Sequence, residues 1–456
     1  MTNLNQPASQ SLTASARSLD MRTVITGGAL VALSLVVLFL LDTGIDSQST
    51  FKLSRPRDVW AIGNLVVPSY WVNLAITAVL AFLGFRQFAK GGAKWRTLSL
   101  AGGLTLFVVA FLVWATADKS ISLTGMLQAT VVRATPIALA ALAGIFCERV
   151  AVINIGIEGM LLAGAFSGAL FGSLLGGWVG IAGAILTGGA LGFLLASLVI
   201  TYRVDQIIAG VVINLFILGL TSYISSQVFT EYRWLNNTTP FRAIKIPVLG
   251  DIPVLGPLLF NQTIFVYGAF ILVALSTYYL FSTRHGLRAR AVGEHPRAAD
   301  TLGIDVIRTR YSHVIVAGMI AGFGGAWFTL GTVGQFDENM TNGRGFIGLA
   351  AMIFGRWHPA GALAAALIFG FADSLQQKLS ILNTPIPSEF LAMAPYLVTI
   401  IVVAGLVGRA RPPAAIGKLM SVQPQCLSLS ASVAKPLNLT SLPVFMQIKY
   451  SRLARQ

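Results

Sequence analysis

Apolar stretches long enough to cross a membrane recur along almost the whole chain. A helix that spans the hydrocarbon core needs about 20 predominantly apolar residues, and short polar connections separate stretches of this length. The pattern predicts an all-α polytopic membrane protein with about 11–12 membrane helices, including one broken or re-entrant pair. We place the spans at residues 23–41, 66–85, 98–116, 125–147, 159–176, 178–201, 207–229, 263–283, 312–331, 345–356, 359–378 and 392–408.

One of these stretches is too short to cross the bilayer. A helix over residues 345–356 is about 18 Å long, whereas the hydrocarbon core is about 30 Å thick. We therefore expect it to form a broken or re-entrant pair with the apolar stretch 360–379, with a turn at residues 356–359.

Composition excludes a water-soluble fold. Of the 456 residues, 55% are hydrophobic and only 11% are charged, whereas about a quarter are charged in soluble domains. The net charge of +15 does not indicate nucleic-acid binding, because the basic residues lie in short connections, where Lys and Arg act as topology signals. The lipid bilayer is the expected surrounding, and nucleic acid is not an expected partner.

The basic connections predict the orientation of the chain. Residues 86–96 contain four basic residues and no acid, and residues 284–310 contain six arginines against three acids. Both connections are expected on the cytoplasmic side, which places the longer connections 42–65 and 230–262 outside. The sequence thus predicts a multi-pass protein of the cell's inner (plasma) membrane with cytoplasmic N- and C-termini.

A polar break interrupts the apolar sequence at Val152–Met160 and contains Asn154 and Glu158. An ionisable group at membrane depth marks either a water-filled path or a structural pair. Glu158 is therefore expected either to face a solute path or to pair with Arg149 or Arg344. The other intramembrane polar groups that we add as candidate pathway residues are Asn214 and Asp373.

A second candidate segment precedes the short helix and runs from Gly334 to Phe346. A helix N-terminus offers unpaired N–H groups to a solute, and aromatic rings beside it can stack on a base or a sugar. The alternative is that these rings only pack against neighbouring helices or lipid. The candidate pathway residues of this segment are Phe336, Thr341, Arg344 and Phe346.

Motifs for catalysis, metal binding and nucleotide hydrolysis are absent from the sequence. The four histidines have no HExxH or similar ligand spacing, and neither GxSxG nor GxxxxGKS/T occurs. We therefore predict no catalytic residues, no metal site and no cofactor. If transport is ATP-driven, the ATPase is a separate chain.

Three blocks of the sequence, taken in order, resemble one transporter family. They are Glu148–Met160, which ends in Val-Ile-Asn-Ile-Gly-Ile-Glu-Gly-Met, then Gly286–Ile304, and then Gly345–Pro359 continued by Phe369–Asp373. They are similar to the permease subunits of nucleoside and simple-sugar ABC importers that work with basic-membrane-protein-type solute receptors. These permeases lie within the branched-chain amino acid/ribose permease superfamily.

The resemblance divides the chain into four parts. Residues 1–21 would form a polar cytoplasmic N-terminus, and residues 22–118 add membrane spans that many relatives lack. Residues 122–418 would form the ABC permease transmembrane domain. Residues 419–456 would form an atypical C-terminal tail, either disordered or an altered terminus.

The resemblance also implies that other chains drive transport. The expected partners are cytoplasmic ABC ATPase subunits, a second permease subunit that is related but not identical and completes a heterodimer, and an extracytoplasmic solute-binding lipoprotein. The arginine-rich loop 284–311 would dock the ATPase through a short helix that begins at a proline; alternatively it is a topology-setting loop that binds nothing. The coupling residues would be Arg290, Gly293, Glu294, Pro296, Ala298, Ala299, Asp300 and Gly303.

The resemblance favours nucleosides or related small polar solutes as the cargo. Simple sugars are an alternative for the same kind of permease. A self-sufficient secondary transporter is a third hypothesis, in which Glu158 and Asp373 would relay ions or protons. Dependence on an added ATPase subunit separates the ABC hypotheses from the last one, because a secondary transporter would lose uptake with an uncoupler.

Overall fold

The computed structural model describes residues 21–54, 62–90, 93–382 and 411–417, together with Phe390 and Met393. The predicted span 392–408, the polar segment before Met21 and the tail 419–456 therefore lie outside the described residues, apart from Met393. Within the described ranges, ten helices are long and apolar enough to cross a membrane. The predicted all-α polytopic fold is confirmed.

The ten spanning helices are joined by three shorter ones. Helices α9, α10 and α12 are the short ones, with 11, 6 and 11 residues. The helices are α1 (Met21–Leu40), α2 (Ser69–Lys90), α3 (Ala93–Ala115), α4 (Leu123–Glu148), α5 (Ile157–Leu175), α6 (Gly177–Ala196), α7 (Gln206–Ile224), α8 (Ile264–Ser282), α9 (Arg284–Glu294), α10 (Pro296–Thr301), α11 (Val306–Phe328), α12 (Arg344–Phe354) and α13 (Pro359–Ile381).

The predicted short helix and the turn after it are both present. Helix α12 has 11 residues, which gives it a length of about 16 Å. The chain then reverses into α13 through residues 355–358, where Arg356 and Trp357 both have a φ of 55°. This left-handed backbone stops α12 and turns the chain within four residues.

Two small β-sheets, which the hydropathy pattern does not predict, lie in the connections. Strand β1 (Gln48–Lys52) pairs antiparallel with β2 (Leu65–Pro68) and parallel with β3 (Ser120–Ser122). Strands β4 (Ile244–Lys245) and β5 (Asn261–Gln262) form the second sheet. Because β3 runs directly into α4, the first sheet attaches the α1–α2 connection to the start of α4.

Helix α4 lies at the centre of the bundle. Its span is 89% buried, whereas the span that begins with α7 is only 28% buried. Its neighbours are α8, α11, α12 and α13. The peripheral helices present their apolar side chains to lipid, which explains why their polar and apolar faces are hardly distinguishable in the sequence.

Glycines allow α5, α6 and α11 to pack backbone against backbone. A methyl group added at Gly164 would overlap the backbone of Gly322, and one added at Gly318 would overlap the carbonyl of Gly188. In lipid, association of helices depends on such close approach. Glycines recur every four residues along α5, at Gly164, Gly168 and Gly172, and the next one, Gly176, ends the helix with a φ of 93°.

Replacement of Gly322 by alanine tests this packing. Its new methyl group would overlap the backbone oxygen of Ala184, which no rotamer change relieves. We expect Gly322→Ala to destabilise the detergent-purified protein by about 3 kcal/mol, measured by thermal unfolding. The matched control is Gly219→Ala on α7, where nothing lies within 4 Å. Equal midpoints for the two variants would contradict this packing account.

Candidate functional site

Glu158 joins the first turn of α5 to the start of α12. Its Oε1 accepts hydrogen bonds from the Thr341 hydroxyl at 2.6 Å and from the Gly343 N–H at 2.8 Å. Its Oε2 accepts a third hydrogen bond from the Gly345 N–H at 2.6 Å. The side chain is only 9% exposed. Two of the candidate pathway residues, Glu158 and Thr341, are therefore in direct contact.

The local sequence explains this contact. The first N–H groups of a helix have no partner inside the helix, and the helix dipole makes that end favourable for an anion. Gly343 precedes α12 with a φ of 76°, and a side chain at Gly345 would stand within 2.8 Å of the Glu158 backbone. The N–H groups that the sequence offered to a solute are thus occupied by Glu158, whose partners are these groups and neither Arg149 nor Arg344.

Two arginines share one aspartate beside this junction. Asp373 Oδ2 lies 2.8 Å from Arg133 Nη1 and 3.4 Å from Arg344 Nη2. Arg133 also donates a hydrogen bond to the Gln377 side-chain oxygen. The Arg344 guanidinium lies 5.6 Å from the centre of the Phe328 ring. Helices α4, α12 and α13 are therefore linked by charge at this depth.

The arginines face a cavity of about 600 Å³. Its walls come from the first three turns of α4, the end of α11 with the turn after it, the connection to α12, and α13. The cavity combines apolar rings with charged and amide side chains, as small-molecule sites do. It is lined by Gly125, Gln128, Ala129, Val132, Arg133, Trp327, Phe328, Thr332, Val333, Asp337, Met340, Arg344 and Gln377.

The other predicted pathway residues do not line this cavity. Phe336 is buried against Phe166 and Phe229, and Phe346 is 48% exposed. Asn214 accepts from the Gly159 N–H at 2.7 Å and donates to the Ile155 carbonyl at 2.9 Å, which ties α7 to the start of α5.

Asn154 is fully buried beside two sulfur atoms. Its amide nitrogen lies 3.5 Å from Cys147 Sγ and 3.6 Å from Met160 Sδ. Its amide oxygen has no partner among the described residues. Among all the residues that the structure describes, no three His, Cys, Asp or Glu side chains cluster as a metal site would require.

Sequence reasoning missed Arg133 and Gln377. The signal for Arg133 was available, because an arginine inside the apolar helix α4 marks a pair or a polar path. Gln377 gave no comparable signal, since it lies near the end of α13 among other polar residues. The aromatic residue Phe328 became a candidate only through its position under Arg344.

The other end of α12 is fixed near the predicted coupling loop. The Trp357 indole N–H donates to Glu148 at 2.5 Å, and Arg149 donates to the Trp357 carbonyl at 2.6 and 3.1 Å. Burial lowers the pKa of Arg149, and nearby Arg290 lowers it further while Glu294 opposes the shift. Burial also lowers the pKa of His358, with a contribution from Arg149.

The coupling loop folds as α9 and α10, and α10 begins at Pro296 as its sequence predicted. Not all of its eight candidate residues are accessible. Gly293 packs against the Arg149 carbonyl, and Ala299 is only 2% exposed. Leu302, which the sequence analysis did not select, is 80% exposed. The exposed candidates are Glu294, Ala298, Asp300 and Gly303, whereas Arg290 and Pro296 are partly buried.

Removal of the Glu158 carboxylate tests how much it contributes to the free energy of unfolding. Glu158→Ala would leave three donors without a partner, each at a cost of about 1–3 kcal/mol, so we expect a loss of about 4 kcal/mol or more in thermal unfolding. The control is Asp205→Ala, because Asp205 caps α7 through the Ile207 and Ile208 N–H groups but is exposed. Water replaces that cap, which limits the loss to about 1 kcal/mol. Similar losses in both variants would refute the assigned role.

Comparison with known proteins gives the family. Residues 126–407 match the family described as branched-chain amino acid transport system / permease component. The guanosine ABC transporter permease protein NupQ of Bacillus subtilis is 42% identical over 304 residues, which cover 64% of this chain and 95% of NupQ. The nucleoside ABC transporter permease protein NupC of Lactococcus lactis is 40% identical, over 62% of this chain and 92% of NupC. No solved structure matches the chain.

A second permease protein of Bacillus subtilis is also similar. The guanosine ABC transporter permease protein NupP is 28% identical over 57% of this chain and 74% of NupP. Related permeases thus occur together in one organism, and this chain is more similar to NupQ than to NupP. The family match covers more than half of the chain, so the protein belongs to the branched-chain amino acid transport system / permease component family and is a multi-pass permease subunit of an ABC importer.

Proposed function

We propose that this permease conducts nucleosides, and that the cavity between α4, α11 and α13 is their binding site. The observation that carries the proposal is the cavity itself, whose lining combines Arg133 and Arg344 with Trp327 and Phe328, and in which the Arg344 guanidinium lies 5.6 Å from the centre of the Phe328 ring. Trp327 and Phe328 are almost fully buried and provide an apolar wall for a base, and guanidiniums provide donors for its polar edge. The 42% identity to a guanosine permease protein supports the same solute class.

The charges around the cavity suit a neutral solute. The guanidiniums of Arg133 and Arg344 carry two positive charges, and the carboxylates of Asp373 and Asp337 carry two negative charges. The formal sum is zero. A nucleotide would bring an unbalanced phosphate charge into the site, whereas a nucleoside needs only hydrogen bonds and apolar contact.

The assembly that we propose has four kinds of chain. This chain pairs with a second, related permease, as the similarity to both NupQ and NupP supports. ATP hydrolysis takes place on separate subunits that dock on α9 and α10, and an extracytoplasmic lipoprotein delivers the solute. The arginine-rich connection 284–310 then faces the cytoplasm, as do both termini, and the connection 230–262 faces outside.

The exposed face of α10 and the turn after it is the proposed ATPase contact. Ala298 and Leu302 are exposed there, and Leu302 offers a large apolar side chain. A leucine that is 80% exposed outside the spanning helices has no lipid to face, which fits an anchor for a partner protein. Buried Gly293 and Ala299 hold the loop in shape instead of touching the partner.

Transport by the assembled complex tests the solute class and the energy source. The complex is purified through a tag on this chain, reconstituted with its receptor, and assayed with labelled inosine, ribose and glucose. We expect ATP-dependent inosine uptake that an uncoupler does not reduce. Uptake of the sugars without inosine would make this a sugar permease, and uptake that collapses with the uncoupler would make it a secondary transporter.

A charge at the proposed docking face tests the ATPase contact. We expect Leu302→Glu to reduce co-purification of the ATPase subunits at least about tenfold, because a carboxylate would replace the apolar side chain proposed to anchor the contact. The matched control is Val248→Glu, since Val248 is 81% exposed and lies in the connection at the other end of α8. Retention of the ATPase by both variants would remove α10 from the interface.

A further inference from the structure

The hydrogen-bond donors of the cavity cluster in one part of its lining. Asp373 already accepts from both Arg133 and Arg344. The Gln377 side-chain oxygen accepts from Arg133, so the group that Gln377 has left for a solute is its amide N–H₂. Guanidiniums have donors only. Where α4, α12 and α13 meet, the lining residues Arg133, Arg344 and Gln377 therefore present donors, and Asp373 itself does not line the cavity. Gln128, nearer the start of α4, donates its amide N–H to the Asn261 carbonyl and keeps its side-chain oxygen as an acceptor.

A single carboxylate lines the described part of the cavity. It belongs to Asp337, which lies in the connection between α11 and α12 and is exposed. Carboxylates accept hydrogen bonds from hydroxyl groups. The cavity thus offers a donor cluster at Arg133, Arg344 and Gln377 and acceptors at Asp337 and Gln128, with the Trp327 and Phe328 rings in its wall.

We infer that the cavity selects bases by their carbonyl edge, and so prefers 6-oxopurine nucleosides to 6-aminopurine nucleosides. This inference rests on the proposed nucleoside function. The adjacent O6 and N7 atoms of a 6-oxopurine accept two hydrogen bonds from a guanidinium. The ribose hydroxyls donate to Asp337. The ring of the base lies against the aromatic wall.

Amino-substituted bases meet the wrong partner in the same position. The 6-amino group of adenosine and the 4-amino group of cytidine present N–H donors to Arg133, Arg344 and Gln377, which are donors themselves. A site built around a hydrogen bond rejects the analogue that leaves its groups unpaired. Inosine with adenosine, and uridine with cytidine, are matched pairs that differ only in this substituent and in the proton on the adjacent ring nitrogen.

The permease can in this way discriminate independently of the receptor. The preference is measurable as a ratio of uptake rates within each matched pair. Because the receptor is the same for wild type and variant, its own preference cancels when the ratios of two permease variants are compared.

Gln377→Glu replaces one donor of the cluster by an acceptor. The glutamate keeps an oxygen for Arg133 and replaces the free N–H₂ by an acceptor. In the reconstituted complex, we expect it to shift the inosine-to-adenosine uptake ratio at least about tenfold towards adenosine, with the uridine-to-cytidine ratio moving the same way. Gln376→Glu is the control, because it makes the same chemical change one residue away and does not line the cavity.

The outcomes separate this inference from the proposed function. If wild type transports nucleosides and Gln377→Glu leaves both ratios unchanged, the selection rule is overturned while the function stands. If wild type transports no nucleoside, the proposed function itself is wrong. Should Gln377→Glu fail to assemble, equilibrium binding of inosine and adenosine to the wild-type complex without receptor decides, and equal affinities would overturn the rule.

Discussion

The arrangement of this permease depends on one carboxylate that meets two helix N-termini. Glu158 lies in the first turn of α5 and accepts hydrogen bonds from the residues that begin α12. Both ends carry unpaired N–H groups and the positive end of a helix dipole. In a membrane, water cannot satisfy these groups. A short helix that does not cross the bilayer is therefore stable at this depth because a buried anion is supplied to it.

Helix α12 is consequently held at both ends. Its start is fixed by Glu158 and places Arg344 at the cavity, where Arg344 shares Asp373 with Arg133. Its end is fixed by the contacts of Trp357 with Glu148 and Arg149, and the Arg149 carbonyl packs against the coupling loop. About 16 Å of rigid helix thus connects the loop proposed to meet the ATPase with the cavity proposed to hold the solute.

The charged groups at the cavity also depend on how the helices are placed. Arg133 and Arg344 are tolerable inside the membrane because Asp373 lies between them and the cavity admits water. Their shared partner also fixes the direction in which their remaining donors point. The polarity of the cavity is therefore a consequence of how α4, α12 and α13 meet, because their contact brings Arg133, Arg344 and Asp373 together.

The sequence by itself determined the class of fold, the short helix with its turn, and the family. The lengths of the apolar stretches and the residue block around Glu158 are local patterns, which can be read directly from the order of residues along the chain. It also marked Glu158 and Asp373, because an ionisable group inside an apolar stretch is costly wherever the chain folds. Thr341 and Arg344 became candidates because they lie at the start of the short helix.

Only the tertiary structure decided what those residues contact. Glu158 bonds to backbone N–H groups, Arg133 and Gln377 line the cavity, and Phe336 packs against other aromatic rings away from it. The tertiary structure also divided the coupling loop into buried and exposed faces. The physical reason is that pairing between helices joins residues up to 248 positions apart, and no periodicity along the chain encodes which faces of different helices meet.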